Sequence, residues 1–208
     1  MNTQRTEYQL FLSFEKEEAW LEAQSRQGWH LVNVSSGWKY VFEQGQPEER
    51  VYKIDFRFFK RQEEMDEYVS LFEDSGWRCV SPQKGSYNYY FYTTRKEGEQ
   101  TDIFSDQASR AQRYLRYAQY SLLSFIPFLP IYTALYANGA IKIQELGYLT
   151  PGLWQMQGMQ FWLRFLFETP FVVLRVAGGL LPLLIVLLFV FFSLRFSFQY
   201  RKLLRQQG

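Results

Sequence analysis

The chain has 208 residues, with 23 Lys+Arg against 21 Asp+Glu, a formal net charge of +2 and 47% hydrophobic residues, but these averages hide two unlike halves. Residues 1–100 hold 13 basic and 17 acidic side chains (13 − 17 = −4), whereas residues 101–208 hold 10 and 4 (10 − 4 = +6) together with two long uncharged runs. This excludes a purely soluble enzyme, a disordered chain and a disulfide-stapled secreted domain, since Cys79 stands alone and a lone cysteine fits a reducing compartment.

One pattern occurs twice in the first 100 residues. At an offset of 48, Trp20, Leu21, Gly28, Trp29 and Val32 fall on Tyr68, Val69, Gly76, Trp77 and Val80; at an offset of 49, Trp38, Tyr40 and Phe42 fall on Tyr87, Tyr89 and Phe91. The extra residue lies at the turns Ser35-Ser36-Gly37 and Gln83-Lys84-Gly85, where insertions are tolerated best. Each copy reads strand, helix, strand, strand. Tyr8, Leu10, Leu12 and Phe14 alternate in the first strand of the first copy. In the second, Tyr52, Ile54, Phe56 and Phe58 alternate with Lys53, Asp55 and Arg57, a period of two that buries one face and wets the other. Met65, Tyr68, Val69 and Phe72 form the apolar stripe of an otherwise acidic helix. Gly28 and Gly76 end their helices, and the tryptophan after each folds back on the last turn.

The predicted fold class is α+β: two βαββ repeats forming a largely antiparallel sheet with helices on one face, followed by a two-helix transmembrane hairpin. Residues 1–100 are the repeat domain, with Lys96 to Asp102 as linker, and 101–117 are a juxtamembrane segment whose helix starts near Ser105. Residues 118–208 are the membrane region. Its first span, about 118–138, lies within 25 residues free of Lys, Arg, Asp, Glu and His, long enough for a helix rising about 1.5 Å per residue to cross a ~30 Å hydrocarbon layer. Pro127 and Pro130 kink it. The second, about 171–194, holds the 19 uncharged residues Val176 to Leu194, with Thr169 as N-cap and Pro170 as first helical residue. Between them, 139–170 is an external loop whose Trp154 and Trp162 suit a helix lying at the outer interface or folded against the spans.

Arg110, Arg113 and Arg116 precede the first span and Arg195, Arg201, Lys202 and Arg205 follow the second, while the loop holds only Lys142 and Arg164. The positive-inside rule then makes this a multi-pass cell-membrane protein with both termini cytoplasmic. Met1 to Phe14 lacks the apolar core of a secretory signal, so the first domain is expected to stay inside.

The pairing of Trp20-Leu21 with Gly28-Trp29-His30-Leu31, then Tyr52 to Arg57, then Leu71-Phe72-Glu73-Asp74-Ser75-Gly76-Trp77, followed by two apolar helices, resembles the bacterial domain of unknown function 2812 family over about residues 8–116. The resemblance implies a membrane-anchored protein, often encoded beside PadR-type transcriptional regulators. It brings no established activity and no functional residues.

Candidate sites are few. His30, the single histidine, reads as a strand residue with a routine hydrogen bond, and Cys79, equivalent to Leu31, as a small core residue without an activating base. Glu15, Glu17, Glu18 and Glu22, like Glu63, Glu64, Asp66 and Glu67, open the two helices and are expected to face water while favouring the positive helix end. No phosphate loop, metal-ligand spacing or nucleophile elbow occurs, so no catalytic residue, cofactor or metal is expected. Net charge −4 in the first half disfavours nucleic acid. Arg110, Arg113, Arg116, Arg195, Arg201, Lys202 and Arg205 are expected to touch lipid headgroups. Arg175 either snorkels to the outer headgroups or meets a partner such as Glu168 or a substrate path. The last strand is aromatic on both faces, so Tyr90 and Tyr92 are either buried against the other repeat or the juxtamembrane helix, or form a docking face.

The function expected is a non-enzymatic, membrane-anchored cytoplasmic interaction or sensory module of the bacterial inner membrane. Its expected partners are the lipid bilayer and a protein, with homo-oligomers possible; the alternative is a small transporter or an accessory subunit of one.

Overall fold

The computed structural model describes residues 3–82, 85, 87–94, 102–139, 142 and 145–205. The predicted turn at Gln83-Lys84-Gly85 falls mostly outside these residues, as does nearly all of the predicted linker from Lys96 to Asp102. The chain divides into two compact units: one runs to Arg116 and includes a short return from Leu203, and the other covers Tyr117–Lys202.

The first unit is mixed α+β. In chain order it holds β1 (Gln4–Tyr8), α1 (Phe14–Arg26), β2 (Trp29–Ser35), β3 (Lys39–Gln44), β4 (Arg50–Phe56), α2 (Gln62–Glu73), β5 (Arg78–Val80) and β6 (Asn88–Thr94), then the start of α3 (Gln107–Ser124). The strands pair as two antiparallel three-stranded sheets, ordered β1-β3-β2 and β4-β6-β5, rather than as one sheet. A physical reason lies at the outer edge of β4. Its Ile54 N–H donates to Glu18 Oε1 (3.0 Å) and its Tyr52 N–H to Glu22 Oε1 (3.4 Å), so α1 side chains take the place of a further strand.

β1 ends at Tyr8, six residues before the predicted strand does. Its partner β3 begins at Lys39, and after the Gln9 N–H to Trp38 carbonyl bond no ladder remains; Leu10 and Leu12 are exposed, and Phe14 opens α1. Gly28 and Gly76 do end the helices, at φ +82° and +84°, and the Trp77 N–H returns to the Phe72 carbonyl at 3.0 Å. A side chain at Gly28 would also meet the Gly45 carbonyl oxygen at 2.7 Å.

The expectation of helices on one face fails at the second sheet. Tyr89 and Phe91 of β6 join Val51, Met65, Tyr68, Val69 and Trp77 in a core beneath α2. The opposite face, with Ile54 and Tyr90, is buried too and meets α1 through Glu18 and Glu17. On its other side α1 sets Trp20 against Tyr40 and Phe42 of β3, with ring centroids 4.9 and 5.4 Å apart. α1 is therefore sandwiched between the two sheets, and its position decides where its acids go.

The stretch Gln107–Ala137, which begins in the first unit, and the helix Gly158–Arg205, which ends in it, are long and apolar enough to cross a membrane. The first is interrupted between α3 and α4 (Phe128–Ala137): Phe128 N–H bonds to Phe125 O and Leu129 N–H to Ile126 O, the tighter turns expected around Pro127 and Pro130. α5 (Gly158–Arg205) is one 48-residue helix, so Thr169 is not an N-cap and Pro170 does not start the helix. The Thr169 hydroxyl instead donates to the Phe165 carbonyl one turn back (2.7 Å), and the apolar run continues through the proline. Tyr117 stacks on Phe196 at 4.1 Å.

Candidate functional site

The densest polar arrangement in the first unit lies inside it, where α1, β4 and α3 meet. α1 brings Glu15, Glu17 and Glu18, β4 brings Asp55, and α3 brings Arg113, Tyr114 and Arg116. Arg113, 1% exposed, donates from Nη1 to Glu18 Oε1 (2.5 Å) and to the Ile54 carbonyl (2.7 Å), and from Nη2 to Glu15 Oε1 (2.9 Å). One turn along, Arg116 donates from Nε to the Phe56 carbonyl (2.6 Å) and from Nη2 to Asp55. Spacing of three on a helix puts both guanidiniums on one face, and that face lies along the free edge of β4.

On that edge the Ile54 and Phe56 carbonyls are thus answered by cations and the Tyr52, Ile54 and Phe56 N–H groups by carboxylates. Asp55 also accepts from the Tyr68 hydroxyl (2.6 Å), from Arg57 Nε (3.0 Å) and from the Phe56 N–H (2.9 Å). The Arg113 guanidinium rests 4.8 Å from the Phe14 ring centroid and 5.1 Å from that of Phe104. Burial alone would raise the Glu15 carboxyl, yet Arg113, the Tyr114 hydroxyl and Ser13 hold it below its ordinary value.

Glu17 behaves differently. It is 6% exposed, and its Oε1 accepts from both the Tyr90 hydroxyl (2.7 Å) and the Tyr40 hydroxyl (2.8 Å). Burial pushes this carboxyl up to about 7; the two hydroxyls pull it down, the neighbouring Glu18 pushes it up and Arg113 pulls it down.

These placements correct several expectations. Glu17 and Glu18 do not face water, because a helix between two sheets has little outer face; Glu15 remains exposed as expected. Asp55, predicted on the wet side of its strand, is 1% exposed. Arg113 and Arg116 do not reach lipid headgroups: they are committed to Glu15, Glu18 and Asp55, and Arg110 pairs with Asp102. Tyr90 is withdrawn from any docking face, its ring buried and its hydroxyl held by Glu17, which is burial against the other repeat. Tyr92 is half-buried, with the Arg50 guanidinium 4.4 Å over its ring. Arg201, Lys202 and Arg205 are exposed and Arg195 half-buried.

His30 sits in β2 with Nε2 2.8 Å from the Gln46 carbonyl and Nδ1 3.3 Å from Ser25 Oγ. Burial, and next the charge of Glu73, pushes the Cys79 thiol up to about 12, far from a nucleophilic thiolate at neutral pH. Among the described residues no group of three or more His, Cys, Asp and Glu is placed to hold a metal ion. In the second unit Arg175 meets Glu168 at 3.2 Å, the partner alternative to snorkelling, and Glu168 also accepts the backbone N–H groups of Leu149 and Thr150.

Sequence reasoning missed the α3 arginines as interior residues. One signal for Glu17 was present: the offset of 48 sets it on Met65, a core position.

No match was found among curated proteins or solved structures. The family described as "Protein of unknown function (DUF2812)" matches residues 13–126, a span that runs from the cap of α1 past the arginines of α3 and covers more than half of the chain, and the chain therefore belongs to that family.

Proposed function

We propose that the chain is a non-enzymatic, membrane-anchored cytoplasmic interaction or sensory module of a bacterial inner membrane. In this reading the two copies of strand-helix-strand-strand form the reading head and the two apolar stretches form a hairpin anchor with both termini inside. Arg195, Arg201, Lys202 and Arg205 hold anionic headgroups. The observation that carries the reading is the seat of α3. The helix that continues toward the first apolar stretch has Arg113 and Arg116 sunk into the edge of β4, among Glu18, Asp55 and two strand carbonyls. A displacement of that helix has to break or re-pair buried charges, which is how a change at the membrane would reach the folded unit.

The partner face is sought where apolar rings are exposed. Tyr8 and Trp38, 5.6 Å apart, form one such place and Phe58 another. A photo-crosslinking residue placed in turn at Tyr8, Trp38, Phe58 and Tyr92 in living cells should yield one defined protein adduct from at least one position. An adduct of twice the chain mass identifies a second copy as the partner; no adduct from any of the four overturns the reading.

The transporter alternative draws on a cavity of about 500 Å³ in the second unit, beside Arg175, Lys142 and Glu145. Flux in reconstituted vesicles that is lost in Arg175→Leu would favour it, and absence of flux would remove it.

A further inference from the structure

One carboxyl oxygen bridges the two sheets. Glu17 Oε1 takes the Tyr40 hydroxyl from β3 of one sheet and the Tyr90 hydroxyl from β6 of the other, at 2.8 and 2.7 Å. The charged and titratable groups facing it are Glu18 from α1, Tyr40 from β3, Tyr90 from β6 and Arg113 from α3. Arg113 is the cation in this set, and its hydrogen bonds go to Glu18, Glu15 and the Ile54 carbonyl; Lys53 of β4 reaches Glu18 instead. Among the described residues no cation forms an ion pair with Glu17, and in the second repeat its position is held by Met65. Burial in an apolar slot beside a second carboxylate favours the neutral form of this acid, against the opposite pull of the two hydroxyl donors and Arg113.

We propose that Glu17 is a proton-binding site that locks the two sheets together when its carboxyl is protonated and loosens their junction when it ionises. This goes beyond the partner reading and does not depend on it. The sign is fixed by linkage. Burial, the largest cause, raises this carboxyl from its ordinary 4.5 to about 7, so between those values the folded chain binds more protons than the unfolded one. The stabilisation is complete below about 4.5 and is lost as pH rises through about 7. From pH 6 to pH 8 this one group raises the unfolding equilibrium constant about tenfold.

The test uses the full chain in detergent micelles, with urea unfolding of the α+β unit followed at pH 6 and pH 8. In Glu17→Gln the pH 6 to pH 8 difference should shrink by about tenfold relative to wild type; an unchanged difference overturns the proposal. Should that variant fail to fold, infrared spectra of the wild type decide. A protonated-carboxyl stretch must vanish between pH 6 and pH 8, with a midpoint that moves to higher pH in Tyr90→Phe, which removes a donor to the ionised form. The absence of such a band, or a midpoint indifferent to Tyr90, overturns the proposal.

Discussion

α1 and α2 each follow the first strand of a three-stranded sheet and carry similar acids, yet they meet opposite surroundings. α2 lays Met65, Tyr68 and Val69 on one sheet and leaves Glu63, Glu64, Asp66 and Glu67 in water. α1 has a sheet on each side, so Trp20 serves one sheet, Glu18 is turned into the other and Glu17 reaches both. The acid-rich pattern has one meaning when a helix covers a sheet from outside and another when it lies between two. Burial in α1 is made tolerable by partners from distant parts of the chain: Tyr40, Tyr90 and Arg113.

Substitutions that exchange or remove these surroundings put the comparison under strain. The largest effect is expected for Arg113→Met, which leaves Glu18 buried against the β4 edge with only the Lys53 ammonium, 3.5 Å away, as a cation; denaturant unfolding should show a loss of about 4 kcal/mol. Next comes Met65→Glu, which gives α2 the acid of α1 without the two hydroxyls. It should cost about 3 kcal/mol by the same measurement, and more at pH 8 than at pH 5, because only the ionised form carries the full desolvation penalty. A smaller loss, about 1.5 kcal/mol, is expected for Tyr68→Phe, which deprives Asp55 of one donor while Arg116 and Arg57 remain. At the bottom, Arg61→Ala removes the exposed pair with Glu64 on α2 and should change stability by less than about 0.5 kcal/mol. If Arg61→Ala and Arg113→Met cost the same, burial does not distinguish the two helices and the comparison is wrong.

Much of the site was only half legible. The repeat set Glu17 on Met65, which marks a core position, but the first-turn acids of both helices read equally well as solvated partners of the helix end. Arg113 and Arg116 stand next to an apolar stretch, the usual place for headgroup contacts, and their spacing of three is common to both roles. Asp55 alternates with apolar residues as a wet position should, and only the arrival of Tyr68, Arg57 and Arg116 makes its burial affordable. The end of β1 was misplaced because alternation at Tyr8, Leu10 and Leu12 continues past the point where β3 offers a ladder.

What the sequence determined alone is what depends on neighbours along the chain. That covers the α+β character of the first half, the helix ends at Gly28 and Gly76, the two stretches apolar enough to enter a bilayer, and the family likeness. Tertiary structure decided which side chains lose water together: two sheets instead of one, the acids of α1 turned inward, and the arginines of α3 drawn into the β4 edge. The physical reason is that periodicity and capping act over a few residues, whereas the free energy of a charge depends on what surrounds it. The partners of Glu17 and Glu18 lie 23 to 95 residues away in the chain, at separations no local pattern encodes.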